Sequence, residues 1–140
     1  MENKLPIVSI DILVIRNNKI LLGLLSKDWL YEGKQVYGVP GREIHFRETM
    51  GQAVKRNIKE ELNCELKEYK IISINANYAL AGHYIGIGIV AEIDGEVELM
   101  KKDDWDTWKW FGKENIPTNL FPPAKNLIDS YFQGKFTVSE

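Results

Sequence analysis

In the stretch VPGREIHFRETMGQAVKRNIKEELN, residues 39–63, the adjacent Glu60 and Glu61 follow Arg56 and Asn57 by one helical turn. Neighbouring carboxylates repel each other, and an arginine or a hard divalent cation relieves that repulsion. At roughly 100° per residue, Asn57, Glu60 and Glu61 fall within an arc of about 100° on a helix. Met50, Val54, Ile58 and Leu62 recur every four residues as an apolar stripe beside that arc, which places Glu61 at the margin of the buried face. A solvated helix would explain KEEL by itself, because such runs are common on exposed helices. A metal-dependent, phosphate-cleaving site is the competing reading, and the glycine-containing loop that precedes the helix has to be weighed with it.

Several elements must position these residues. VSIDILVIRNNKILLGLL reads as two strands around a tight turn: Val8, Ile10, Ile12 and Val14 alternate with Ser9, Asp11 and Leu13, and Asn17-Asn18 tolerate left-handed angles. SKDWLYEGKQ is a polar loop, and VYGVPG begins a short strand that breaks at Pro40-Gly41. A helix is expected from Thr49 to about Leu62, with Thr49 and Gln52 as a capping box and Asn63 as a left-handed terminator. YKIISINANYA and HYIGIGIVAEID read as strands separated by a short Ala/Gly turn, EVELM as a further short strand, and TWKWF as another. NLFPPAKNLIDSYF has helical spacing, with Pro122 and Pro123 suited to a first turn. The order strands, helix, strands, helix predicts an α/β chain with a mixed sheet covered by helices.

The chain has 140 residues, enough for one self-sufficient domain spanning 1–140. With a net charge of −2 and scattered Lys and Arg, it does not suit a nucleic-acid polymer held by bulk charge. A local cation must then neutralise any anionic substrate. No apolar run approaches the ~20 residues that span a bilayer, and the start lacks a secretory pattern, so no membrane and a cytoplasmic location are expected. The single cysteine, Cys64, excludes an internal disulfide and is expected to pack as a small apolar side chain.

GVPGREIHFRETMGQAVKRNIKEELN resembles the signature of the Nudix (MutT-like) hydrolase superfamily. That signature runs Gly, five residues, Glu, seven residues, Arg-Glu, apolar, any, Glu-Glu, any, Gly, apolar. Glu48, Arg56, Ile58, Glu60 and Glu61 match in register, Cys64 takes the final apolar place, and Pro40-Gly41 matches the entering turn. VSIDILVIRNNKILLG is similar to the family's opening hairpin, HYIGIGIVAEI to its central strand, and WKWFGKENIPTNLFPPAKNLI to its closing strand, loop and helix. The resemblance implies a Nudix fold, an α/β/α sandwich with a mixed central sheet. It implies hydrolysis, assisted by Mg2+ or alternatively Mn2+, of a nucleoside diphosphate linked to another group. It implies Glu60, Glu61 and the Gly41 carbonyl as metal ligands, with Asn57 able to add a neutral oxygen. Arg56 would orient the carboxylates, and Glu48 would pair with it. The partner would be a small nucleotide or nucleotide sugar, and a homodimer is left open.

Four positions depart from the pattern. Arg42 and Asn63 stand where the signature has its first and last glycines, Arg47 replaces a glycine often found before the Glu48 position, and Asn57 replaces the Glu of the Arg-Glu pair. Arg42 and Arg47 are candidates to reach substrate phosphates. An amide cannot accept a proton usefully at neutral pH, so the general base is unassigned. In KKDDWDTWKW, Asp104 and Asp106, with Asp103 nearby, are the candidates for it. Trp105 lies about where the GDP-mannose-cleaving branch carries its histidine, and is a candidate to stack a nucleobase. His83 matches a His-Tyr pair of the triphosphate-cleaving branch and is a further substrate-binding candidate; Trp29 and Tyr31 are candidate lids. The first expectation is a nucleoside triphosphate pyrophosphohydrolase. The alternatives are a GDP-sugar hydrolase and, in another class, a weakened nucleotide-binding or regulatory module.

Overall fold

The structure, a computed structural model, describes residues 4–77 and 82–139. The opening hairpin forms as its sequence predicts: β1 (Ile7–Arg16) turns at Asn17 and Asn18, with φ of 51° and 61°, into β2 (Lys19–Leu25). β3 (Tyr37–Gly38) is short, as VYGVPG implies. α1 (Met50–Leu62) begins at a complete capping box, Thr49 Oγ1 accepting the Gln52 N–H at 3.1 Å and the Gln52 side chain accepting the Thr49 N–H at 2.9 Å. It ends at Asn63, whose φ of 54° explains how this residue serves at a glycine position. β4 (Glu65–Asn77), β5 (Tyr84–Asp94), β6 (Trp105–Gly112), α2 (Pro122–Gln133) and β7 (Thr137–Ser139) complete the chain.

The seven strands form one mixed sheet in the order β3-β2-β1-β5-β4-β7, with β6 paired to the other side of β2. β1 runs parallel to β5 and β4 parallel to β7, while the other pairs are antiparallel. Each face packs under one helix. Ile10, Ile12, Val14, Leu21, Ile89 and Ala91 meet Val54, Ile58 and Leu62 of α1, and buried Cys64 joins them as a small apolar side chain. On the opposite face, Leu13, Ile20, Leu22 and Val39 meet Ala124, Leu127 and Ile128 of α2. The alternation along β1 therefore feeds two cores, which yields the expected α/β/α layering.

One irregularity positions the loop before α1. β1 pairs with β2 at Ile15↔Ile20 and Arg16↔Lys19 and then parts from it. Its next N–H groups turn to the chain 40–44 instead: Ile12 donates to the Pro40 carbonyl at 2.8 Å and Ile10 to the Arg42 carbonyl at 3.0 Å. Pro40 to Glu43 thus lie in a seam between the two halves of the sheet.

Three expectations need amendment. EVELM is not a strand; Glu98 N–H donates to the Leu62 carbonyl at 3.0 Å and the Glu98 carboxylate accepts from the Asn63 amide, so this segment is strapped along the end of α1 instead of joining a ladder. β4 starts at Glu65, earlier than its apolar run suggested, and β7 was not foreseen. The Ala/Gly turn expected between β4 and β5 lies mostly in residues 78–81, outside the described residues.

Gly23 in β2 lets two indoles approach the strand closely. A Cβ there would come within 2.5 Å of Trp105 Cε3 and 2.6 Å of Trp108 Cζ3. Gly23→Ala is expected to destabilise the chain by about 1–3 kcal/mol, the usual cost of overpacking a filled site. Urea denaturation measures this; an unchanged midpoint would show that the indoles can shift freely.

Candidate active site

The seam and the second half of α1 meet at Glu61. This carboxylate is 1% exposed. Its Oε2 accepts the Gly41 N–H at 2.6 Å, its Oε1 accepts the Trp105 Nε1–H at 3.3 Å, and Arg42 Nε lies 3.9 Å from Oε1. Gly41 has φ of 132°, and a Cβ there would run into the Ile10 backbone carbonyl, so only glycine can present its N–H this way. Burial pushes the Glu61 carboxyl above its ordinary pKa, while the Gly41 N–H, Trp105 and Arg42 act in the opposite direction. A carboxylate so placed is short of positive charge.

One turn earlier on the same face, Asn57 is fully buried. Its amide nitrogen donates to the Ala53 carbonyl at 2.8 Å, and its Oδ1 has no hydrogen-bond partner among the described residues. Such an oxygen ordinarily finds water or a cation. Glu60 points elsewhere: its carboxylate accepts from Arg56 at 3.2 Å and is 44% exposed. The structure therefore joins Glu61 with Asn57 and the Gly41 backbone, and sets Glu60 to one side with Arg56. Arg56 also grips both oxygens of Glu48, at 2.7 and 3.0 Å, and the Glu43 carbonyl at 2.9 Å, which ties the loop to the helix. Arg56 and the His45 N–H hold the Glu48 carboxyl down to about 2.

The remaining predicted residues divide. Arg42 pairs with Asp104 and also lies near Glu61. Arg42 is not among the positive-φ residues, which explains how a side chain replaces the expected glycine. Arg47 does have positive φ, 66°, so that position keeps the backbone a glycine would adopt. Asp106 accepts from Gln35 Nε2 at 2.5 Å. His83 precedes β5, five residues before Gly88, or roughly 16 Å along an extended strand. Trp29 and Tyr31 are exposed, and Tyr31 packs edge-on against Phe121.

Trp105 requires a correction. It is not a loop residue open to a nucleobase: it begins β6, is 5% exposed, and packs on Trp108 with ring centroids 4.3 Å apart. Its indole N–H is spent on Glu61. Sequence alone could not pair residues 44 apart, although a tryptophan among aspartates was a sign of an unusual environment. Asp11 was also missed as a functional candidate. Burial pushes its carboxyl up to about 6, and the available signal was a charge in mid-strand beside an apolar Leu13.

The side-chain oxygens available on this face are the Glu61 carboxylate and Asn57 Oδ1, which has no partner among the described residues. That set suits a hard divalent cation such as Mg2+. It has one carboxylate fewer than the family signature provides, and no group of three or more His, Cys, Asp or Glu side chains clusters tightly enough to hold a metal among the described residues.

No protein-family model matches the chain. An ADP-ribose pyrophosphatase of Methanocaldococcus jannaschii is 30% identical over 132 residues, covering 93% of this chain and 75% of that protein. The fold is similar to a MutT Nudix hydrolase from Burkholderia pseudomallei, with a TM-score of 0.80 and 22% identity over 91% of this chain and 98% of the other. It is also similar to an ADP-ribose pyrophosphatase from Streptococcus suis, with a TM-score of 0.71 and 16% identity over 97% and 100% of the two chains.

Two outcomes follow from the geometry. Because the folded Glu48 pKa lies below the ordinary 4.5, its pairing contributes stability above pH 4.5 and loses it as the pH falls toward 2. Glu48→Gln should unfold more easily than the wild type at pH 7, with the gap closing between pH 4.5 and 2 in thermal melts; a constant gap would contradict the ion pair. Trp105→Phe removes the N–H on Glu61 together with part of a buried indole. It should lower stability by about 2–4 kcal/mol in urea denaturation, from the cavity and from the unpaired buried carboxylate; an unchanged midpoint would show that neither the bond nor the packing holds Glu61.

Proposed function

Since the chain belongs to the Nudix hydrolase superfamily, a family of enzymes acting on nucleoside diphosphate derivatives, we propose that it cleaves the phosphoanhydride of a nucleoside diphosphate sugar. The buried Glu61 beside the orphaned Asn57 Oδ1 carries this reading. The Methanocaldococcus relative favours a substrate of the ADP-ribose kind. A nucleoside triphosphate pyrophosphohydrolase is the second reading, favoured by the closing segment WKWFGKENIPTNLFPPAKNLI.

Glu61, Asn57 Oδ1 and the Gly41 carbonyl would hold the divalent cation, while Glu60 is drawn aside by Arg56. When bound, the cation offsets phosphate charge and makes a water more acidic. The protein's own part is positioning. Gly41 and Trp105 fix the Glu61 carboxylate, the Glu48–Arg56 pair locks the loop onto α1, and Arg42 offers a forked donor to a phosphate. Asn57 takes up no proton at neutral pH, so the proton of the attacking water goes elsewhere. Asp104, tethered to Arg42 near Glu61, suits that role better than Asp106, which is engaged by Gln35.

Incubation of nucleotide sugars and triphosphates with Mg2+ tests the proposal by its products. A nucleoside monophosphate with a sugar phosphate supports it, pyrophosphate supports the second reading, and free sugar overturns both. Glu61→Gln should abolish Mg2+-dependent turnover, on the order of a thousandfold or more. Tight nucleotide binding without turnover by the wild type would instead make the domain a binding module.

A further inference from the structure

The sheet face covered by α2 changes character along β1. Leu13 belongs to the apolar core under Leu127 and Ile128, but the preceding positions on that face are Asp11 and Ser9. Asp11 pairs in register with Gly88 of β5, and Gly88 in turn with Ser73 of β4. On the other side lies Gly41: a Cβ placed there would sit 3.2 Å from the Asp11 Cα. Gly41, Asp11, Gly88 and Ser73 thus form one row across the sheet.

Within that row the polar groups have nothing to bind. No hydrogen bond or ion pair to another described residue engages the Asp11 carboxylate or the Ser73 hydroxyl. Ser73 is only 6% exposed, and its Oγ occupies the place a Gly88 side chain would take, so it leans over the glycine toward Asp11. Leu127 Cδ1 closes the same spot from above. A carboxylate kept for folding would be expected to meet an arginine, a lysine or an N–H. This half-buried one stands in register with the Ser73 hydroxyl across a residue without a side chain.

The row is also joined to the catalytic seam. Gly41 holds Glu61 through its N–H on the α1 side, while its Cα abuts the β1 backbone at Asp11. A diphosphate at Gly41 is therefore about one strand spacing, ~4.8 Å, from the strand that carries Asp11.

We propose that Asp11 and Ser73, acting across Gly88, select the part of the substrate that lies beyond its diphosphate by accepting two adjacent hydrogen-bond donors. Those donors are the cis hydroxyls of a ribose or the N–H edge of a nucleobase. The inference rests on the reading of Glu61 and Gly41 as the diphosphate site. A carboxylate only accepts, so the pair selects donors over isosteric acceptors, and a site built to bond a polar group rejects analogues that lack it.

Equilibrium binding tests this without turnover, using ribonucleoside and 2′,3′-dideoxyribonucleoside monophosphates of the four bases with Mn2+. The wild type is expected to discriminate at least tenfold in one series. Loss on removing the sugar hydroxyls assigns the ribose; a preference among bases assigns the base edge. Asp11→Asn and Ser73→Ala should each weaken the preferred nucleotide about tenfold and leave the poorly bound analogue within twofold. Asp11→Asn should also melt at or above the wild-type temperature, because it removes a half-buried charge that no described side chain pairs. Unchanged discrimination in both variants, or a lower melting temperature for Asp11→Asn with selectivity intact, overturns the proposal. Hydrolysis with unaltered selectivity overturns this inference alone, whereas selective binding without hydrolysis by the wild type overturns the function above and leaves the pair standing.

Discussion

A carboxylate removed from water loses several kcal/mol of hydration, and a protein tolerates this when donors or a cation replace the lost water. Glu61 is in that position. Two N–H groups reach it, one from Gly41 and one from Trp105, and each comes from a segment whose course they help to explain. Gly41 must be glycine and must lie in the seam where β1 leaves β2. Trp105 must begin β6 buried against Trp108, which in turn requires Gly23 beneath the two rings. Around this one side chain the loop, the helix and the far strand are held to a common geometry, and they leave it still short of positive charge.

The departures from the family signature become intelligible in the same physical terms. Asn63 and Arg47 occupy left-handed positions, where a glycine would serve for its backbone, and the chain keeps the conformation with other residues. Arg42 needs no such backbone and contributes charge, which it shares between Asp104 and Glu61. Asn57 is a change of another kind. It keeps an oxygen in a fully buried place without a negative charge or the capacity to take a proton, and that oxygen has no partner among the described residues. An arginine gained next to the site and a carboxylate lost within it both lower the negative charge that a cation would meet.

Ion pairs here differ in value by their surroundings. Lys125–Asp129 and Lys59–Glu65 join exposed groups, where solvent screening leaves little net stabilisation. The Glu48–Arg56 pair is bidentate and largely covered, and it closes the loop onto α1. Through the same guanidinium it also binds the Glu43 carbonyl, so two points of the loop are fastened to α1.

Local patterns in the sequence determined the elements. The four-residue stripe from Met50 to Leu62 with its Thr49 cap, the Asn17-Asn18 turn and the Pro122-Pro123 start each specify structure through neighbours a few residues apart, and each forms as read. The fixed spacing from Glu48 to Glu61 likewise made the family legible, because those residues share one loop and one helix. What tertiary structure alone decided lies between distant segments: the placement of Trp105 on Glu61, the turn of Glu60 away from it, the run of residues 96–100 as a strap, and the meeting of Asp11 with Ser73 across Gly88. A period of two or of 3.6 states which way a side chain faces, but not what it will face. That depends on strand order and register, which arise from the packing of the whole sheet.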